Sequence, residues 1–155
     1  MEFRLNKNIE KKIYQIREIL AQFEKADFHS MTSFYLSSGF PAGCCGDATD
    51  LLGIYLLKHH SLESDYVCGH GLGDNSNQTH AWLVCQDYII DITADQFNDD
   101  GYELPSVIIE KQSPFHELFY ELTSRPISVE YLKGTGIPSV LAKVMSVIQA
   151  RENEL

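Results

Sequence analysis

No run in this 155-residue sequence approaches the ~18–20 apolar residues that a membrane-spanning helix needs, so no membrane span is expected. Basic side chains are scarce. Lys and Arg number 12 against 22 Asp and Glu, for a formal net charge of −10. No basic patch is available to neutralise phosphates, which argues against a nucleic-acid partner and against docking on an anionic membrane. The charge suits a basic partner as well as plain solubility. Met1–Lys12 lacks the apolar core of a signal peptide, which predicts folding in the reducing cytoplasm. Delivery as an effector by a dedicated secretion machine would leave no such mark.

Paired metal-ligand spacings are missing too. Four cysteines are present, Cys44, Cys45, Cys68 and Cys85, and without a secretory context they do not read as a disulfide framework. Cys68-x-His70 and His80-x4-Cys85 are not usual zinc spacings, and His80 and Cys85 point to opposite faces of a strand. Structural zinc is kept as the alternative. The acidic run Asp95–Gly101 does not follow the calcium-loop pattern and reads as a solvated turn. No metal and no organic cofactor is therefore expected. There is no internal repeat, low-complexity run or linker, so residues 1–155 read as a single domain.

A hydrophobic fraction of 44% and a charged fraction of 22% fit a globular chain with a core. Ile9, Ile13, Ile16, Leu20 and Phe23 recur at helical spacing and predict a helix over 8–23, capped by Asn6 or Asn8. Ser37–Gly43 is dense in turn formers. A broad apolar stripe of Ala48, Leu51, Leu52, Ile54, Tyr55 and Leu56 predicts a central buried helix from Cys45 to about His59. Asp65–Gly69 reads as a short strand and His70–Gln78 as a loop. Ser106–Glu110 reads as a strand. Ser113-Pro114 reads as the start of a helix with Phe115, Leu118, Phe119 and Leu122 on its apolar face. Pro138 opens a last helix that buries Val140, Leu141, Val144, Met145 and Ile148.

His80–Cys85 and Tyr88–Thr93 form the clearest hairpin, turning at Gln86-Asp87. That turn pairs Cys85 with Tyr88 and Val84 with Ile89. His80, Trp82 and Val84 then share a face with Ile89, Asp91 and Thr93, and His80 lies diagonal to Asp91. Ala81, Leu83, Cys85, Tyr88, Ile90 and Ile92 make a second apolar face, so the sheet is expected to be covered on both sides. Asp91 lies between isoleucines, where an unpartnered carboxylate would be costly, and the register supplies an imidazole.

The chemistry follows from these placements. A thiol at a helix N-terminus meets unpaired N–H groups and a partial positive charge, which favour the thiolate. A histidine beside it adds an ion-pair partner and a general acid, and a carboxylate behind the histidine fixes its tautomer. The backbone N–H of Cys45 is placed to hold an oxyanion. The vicinal pair Cys44-Cys45, His80 and Asp91 thus read as nucleophile, base and orienting acid. Each residue also has a plain structural reading: a small buried cysteine, a core histidine, a packed strand.

Gly43-Cys44-Cys45-Gly46-Asp47, His80-Ala81-Trp82 and Asp91-Ile92-Thr93 resemble the transglutaminase-like branch of papain-fold cysteine enzymes, over roughly the middle third of the chain. The resemblance implies an α+β fold: a cysteine-bearing helix packed on an antiparallel β-sheet, with flanking N- and C-terminal helices. It places the nucleophile at Cys45 rather than Cys44, with His80 as base and Asp91 as orienting acid. It implies a hydrolase or acyltransferase acting on a protein or peptide amide through a thioester, as peptidases, glutamine deamidases and transglutaminases do. Trp82 shares the catalytic face, either lining a substrate site or filling the core. A second oxyanion donor is not assigned by the resemblance, and Tyr35 or Ser38 in the preceding loop are the candidates. The alternative from another class is a binding or immunity-type protein that keeps the fold without chemistry.

Overall fold

The computed structural model describes residues 5–154. Residues 1–4, part of the N-terminal segment read above for a signal, lie outside the described residues, as does residue 155. The architecture is α+β, with one five-stranded antiparallel sheet and helices flanking it.

Helix α1 (Lys7–Gln22) starts where Asn6 accepts a hydrogen bond from the Asn8 N–H, and it buries Ile9, Ile13, Ile16, Ile19 and Leu20. A single turn, α2 (Ser33–Leu36), precedes the loop that leads to α3 (Cys45–His60). Strands β1 (Asp65–Leu72), β2 (Asn75–Cys85), β3 (Tyr88–Asp91), β4 (Ile108–Glu110) and β5 (Phe119–Pro126) follow, then the short α4 (Val129–Leu132) and the long α5 (Ile137–Asn153). The sheet order is β4-β3-β2-β1-β5. No helix among the described residues is long and apolar enough to cross a membrane.

The β2–β3 hairpin has the expected register, with Cys85 opposite Tyr88, Val84 opposite Ile89 and Leu83 opposite Ile90. Its turn residues Gln86 and Asp87 both take positive φ, 55° and 69°. A two-residue hairpin needs that backbone to match the strand twist, even without glycine. Both faces of the sheet are covered. Leu83, Cys85, Ile90 and Ile92 join the helices in one core. Trp82, Val84 and Ile89 join Val67, Phe97, Ile108, Phe115 and Phe119 in a second.

Three expectations are corrected. His70–Gln78 is not an open loop. β1 continues to Leu72 and β2 begins at Asn75, so the two strands turn at Gly73-Asp74, with a bulge between His70 and Leu72. The polar composition misleads because this end of the hairpin projects into water. Ser113-Pro114 does not open an α-helix. A 3-10 turn, His116–Leu118, leads into β5, which pairs with the open edge of β1. The helical spacing of Phe115, Leu118, Phe119 and Leu122 is fortuitous, since Leu118 and Leu122 stay exposed while Phe115 and Phe119 are buried. Tertiary pairing overrides local pattern here. The run from Asp95 is not a solvated turn. Ala94–Asp100 forms a 3-10 helix that buries Ala94 and Phe97.

Helix α3 is central and nearly wholly buried along Ala48–Leu56. Gly53 lets it approach Ile127, because a Cβ there would meet the Ile127 Cγ1 and lie 2.5 Å from its Cδ1. Gly53→Ala is expected to destabilise by about 1–3 kcal/mol despite alanine's better helix propensity. A urea melt with an unchanged or raised midpoint would show that the Ile127 side chain moves aside at no cost.

Candidate active site

The residues singled out from sequence converge at the N-terminus of α3. The chain reaches Cys45 through Gly43, which takes φ 71° to make the turn. Asp47, in the first turn of α3, accepts a 2.6 Å hydrogen bond from the Ser33 N–H and fastens α2 to the helix start. No side chain caps this N-terminus, so its N–H groups face the neighbourhood of the cysteine.

The vicinal cysteines have opposite environments. Cys44 is fully buried, its sulfur against the Ser33 and Ala42 carbonyls and the Ser37 hydroxyl. Burial pushes its thiol up. Cys45 is partly exposed. Burial also pushes its thiol up, but His80, as hydrogen-bond partner and as charge, and the Ala81 backbone outweigh it and lower the pKa. Cys68 is raised by burial and by the charge of Cys45, and Cys85 is pushed up to about 11 by burial. Of the four free cysteines, Cys45 alone is lowered.

His80 is 1% exposed and its Nε2 lies 2.6 Å from Asp91 Oδ2. That contact leaves Nδ1 as the nitrogen that faces the thiol. Burial disfavours the imidazolium, yet the charge of Asp91, its hydrogen bond, and then Cys45 push His80 up to about 9. Asp91 is 2% exposed. Burial works against its charge, and the two neighbouring imidazoles hold its carboxyl well below the usual carboxylate range. Oδ1 accepts from the Thr93 N–H at 2.8 Å and faces the Thr93 hydroxyl at 3.4 Å. Every lone-pair direction of the carboxylate is occupied, which is the condition for keeping it charged in an apolar site.

His116 was not singled out from sequence. It is 3% exposed, its Nε2 lies 2.7 Å from the same Asp91 Oδ2, and its Nδ1 lies 2.5 Å from the Ser113 hydroxyl. With Nε2 facing Asp91, the Ser113 hydroxyl is the hydrogen-bond partner of Nδ1. Asp91 is thus held from two sides. His116 was hidden because it entered a segment read as amphipathic helix, where only its apolar neighbours drew notice.

Trp82 shares the face of His80 as expected but is 2% exposed. Its indole meets the His116 ring at 4.6 Å and Phe119 at 5.4 Å. It supports the two imidazoles from within and does not line the opening. Phe97 sets its edge on the His80 ring at 5.0 Å, and Phe115 and Phe119 enclose the rest. Tyr35 and Ser38 face elsewhere. Both line a separate cavity with Phe23, Phe28 and Phe34.

Arg17 of α1 fastens the far side. Its two terminal nitrogens each lie 2.9 Å from an Asp95 carboxylate oxygen, and Nη1 also donates to the Ile92 carbonyl at 2.6 Å. The guanidinium lies over Phe40 at 4.8 Å. One side chain thereby ties the loop before Cys45 to the turn after Asp91. On the other flank, Asp50 of α3 meets Arg125 at 3.0 Å, and Arg125 stacks on Tyr66 at 4.0 Å.

The acceptor and donor atoms of His80, Asp91 and His116 lie within 4.8 Å of one another, close enough to surround an ion. Their 2.6–2.7 Å contacts are hydrogen-bond lengths. Two ligands on one tetrahedral zinc would stand roughly 3.3 Å apart, with both Nε2 protons removed. The set fits two imidazole N–H groups donating to one carboxylate oxygen.

In comparisons with known proteins, no family model, no curated protein and no solved structure matches the chain.

Proposed function

We propose that the protein is a cysteine-dependent hydrolase or acyltransferase acting on amide bonds of a protein or peptide, of the transglutaminase-like, papain-fold kind. The observation that carries this reading is the His80–Asp91 contact of 2.6 Å, buried beneath the one cysteine whose thiol is lowered. The packing of a cysteine-bearing helix on an antiparallel sheet that carries both partners supports the same reading.

In this reading Cys45 Sγ, as thiolate, attacks the amide carbonyl carbon, and the carbonyl electron pair moves to oxygen. The Cys45 N–H at the start of α3 holds that oxyanion. His80 gives its Nδ1 proton to the departing nitrogen, the C–N bond breaks, and a thioester remains on Cys45. His80, now neutral, takes a proton from water or from an incoming amine, whose attack releases the acyl group and restores the thiol pair. Asp91 keeps Nε2 protonated throughout, so Nδ1 is the nitrogen that exchanges protons. His116 and Thr93 hold Asp91 in place.

Alkylation by iodoacetamide at pH 6, followed for each cysteine by peptide mass spectrometry, tests the reading. Cys45 is expected to react at least ~10-fold faster than Cys68, the other partly exposed cysteine, because only thiolate reacts. Equal rates would remove the nucleophile and leave a binding or immunity-type role as the better account.

A further inference from the structure

Resting on that reading, we propose that Gln96 is a further catalytic residue, whose side-chain carboxamide donates a hydrogen bond to the substrate carbonyl oxygen as it becomes negative. Gln96 Nε2 lies 3.5 Å from His80 Nδ1. Nδ1 is the free nitrogen of His80, because Nε2 is committed to Asp91, so the carboxamide stands beside the ring nitrogen that faces Cys45. An imidazolium Nδ1 carries a proton and cannot accept from Gln96. The Gln96 N–H groups therefore have no acceptor in the ring and are available to an oxygen that enters beside His80 Nδ1.

The backbone around Gln96 is built to hold it there. Asp95, one residue before, is clamped by Arg17 through two 2.9 Å contacts. Phe97, one residue after, is 4% exposed and lies edge-on to the His80 ring at 5.0 Å. Gln96 N donates to the Thr93 carbonyl at 3.1 Å, and Thr93 N donates to Asp91. The short helix is thus anchored on both sides of Gln96 and joined to the same carboxylate that orients His80. Gln96 is only half-buried, so it is not sealed into the core as Phe97 is. Together with the Cys45 N–H it supplies a pair of donors on an oxyanion, the arrangement that acyl transfer requires. Tyr35 and Ser38, the candidates from sequence, line a different cavity.

Two reactions of Cys45 separate this role from a structural one. Alkylation by iodoacetamide forms an S–C bond and expels iodide without creating an oxyanion. Acylation by p-nitrophenyl acetate forms the S–C bond at a carbonyl carbon, passes through an oxyanion, and expels p-nitrophenolate to leave acetyl-Cys45. Both rates are read by mass spectrometry in the full chain for wild type, Gln96→Ala and the volume-matched Gln96→Met. The expected result is a fall of about 10²-fold in acylation for both variants, with alkylation unchanged. Unchanged acylation overturns the proposal. If both rates fall together, Gln96 merely positions His80, through its Oε1 on the Nδ1 proton, and the catalytic role is overturned. If wild-type Cys45 shows no fast alkylation at all, the cysteine-enzyme reading itself fails and takes this proposal with it.

Discussion

Asp91→Ala is expected to remove about 3–5 kcal/mol of folding stability, far beyond the loss of a few carbon contacts. Asp91 Oδ2 accepts from two imidazoles at 2.6 and 2.7 Å, and Oδ1 accepts from the Thr93 N–H at 2.8 Å. Alanine leaves those N–H groups facing Trp82, Phe97, Phe115 and Phe119, where water does not replace the missing acceptor. The pH dependence gives a second readout. The folded carboxyl of Asp91 is held below its ordinary value. Its contribution is therefore present above about pH 4, the unfolded carboxylate range, and is lost as pH falls through the lower folded value. His80 is raised to about 9. Its contribution is full below about pH 6.5 and is lost as pH rises toward 9. Both arms share one ion pair, and Asp91→Ala removes both. Urea denaturation across pH 3–10 should give a stability plateau for wild type near pH 5–6 and a flatter, lower profile for the variant. A loss under about 1 kcal/mol, or an unchanged profile, would mean that the two histidines find other partners.

His80→Gln is expected to slow alkylation of Cys45 at pH 6 by about 10²-fold or more. His80 supplies both the hydrogen bond and the charge that oppose burial of the Cys45 sulfur. Once they are removed, burial dominates, and the thiol moves to the raised side where Cys68 already lies. Below its midpoint a thiol reacts in proportion to its thiolate fraction, so moving Cys45 from the lowered to the raised side slows alkylation steeply. Glutamine is preferred to alanine because it fills more of the aromatic enclosure and can still donate to Asp91. If the proposed amide chemistry holds, turnover is expected to fall further, since the departing nitrogen would also lose its proton donor. A Cys45 that stays fast in His80→Gln would place the source of its reactivity in the helix N-terminus alone.

Much of this site was legible in one dimension, for identifiable reasons. The β2–β3 register follows from a two-residue turn and strict alternation, and alternation alone sends His80 and Asp91 to one face. Asp91 drew attention because a carboxylate among isoleucines needs a partner. The helix at Cys45 was legible from its apolar stripe, and the resemblance favoured Cys45 over Cys44, though the physical difference between the two thiols was not legible. That difference depends on which sulfur the α2 turn covers, and the turn comes from outside the helix.

His116 and Gln96 were illegible for different reasons. His116 reaches Asp91 only because residues 113–119 fold back over the outer face of the sheet before β5 pairs with β1. Nothing local favours that pairing over a helix. Gln96 lay in an acidic run that looks solvated. Its order comes from Arg17, 79 positions earlier in the chain, which meets Asp95 and the Ile92 carbonyl.

What the sequence determined by itself is the set of local decisions: α1, α3 and α5 from helical periodicity, the central hairpin with its register, and the shared face of His80 and Asp91. Each depends on residues within a few positions, where backbone geometry dictates direction. Only the tertiary structure decided which thiol is exposed to His80, which second imidazole shares Asp91, and which amide stands at Nδ1. Those depend on burial and on contacts between distant segments, because ion pairing and desolvation arise from the whole surroundings of a group and not from its neighbours in the chain.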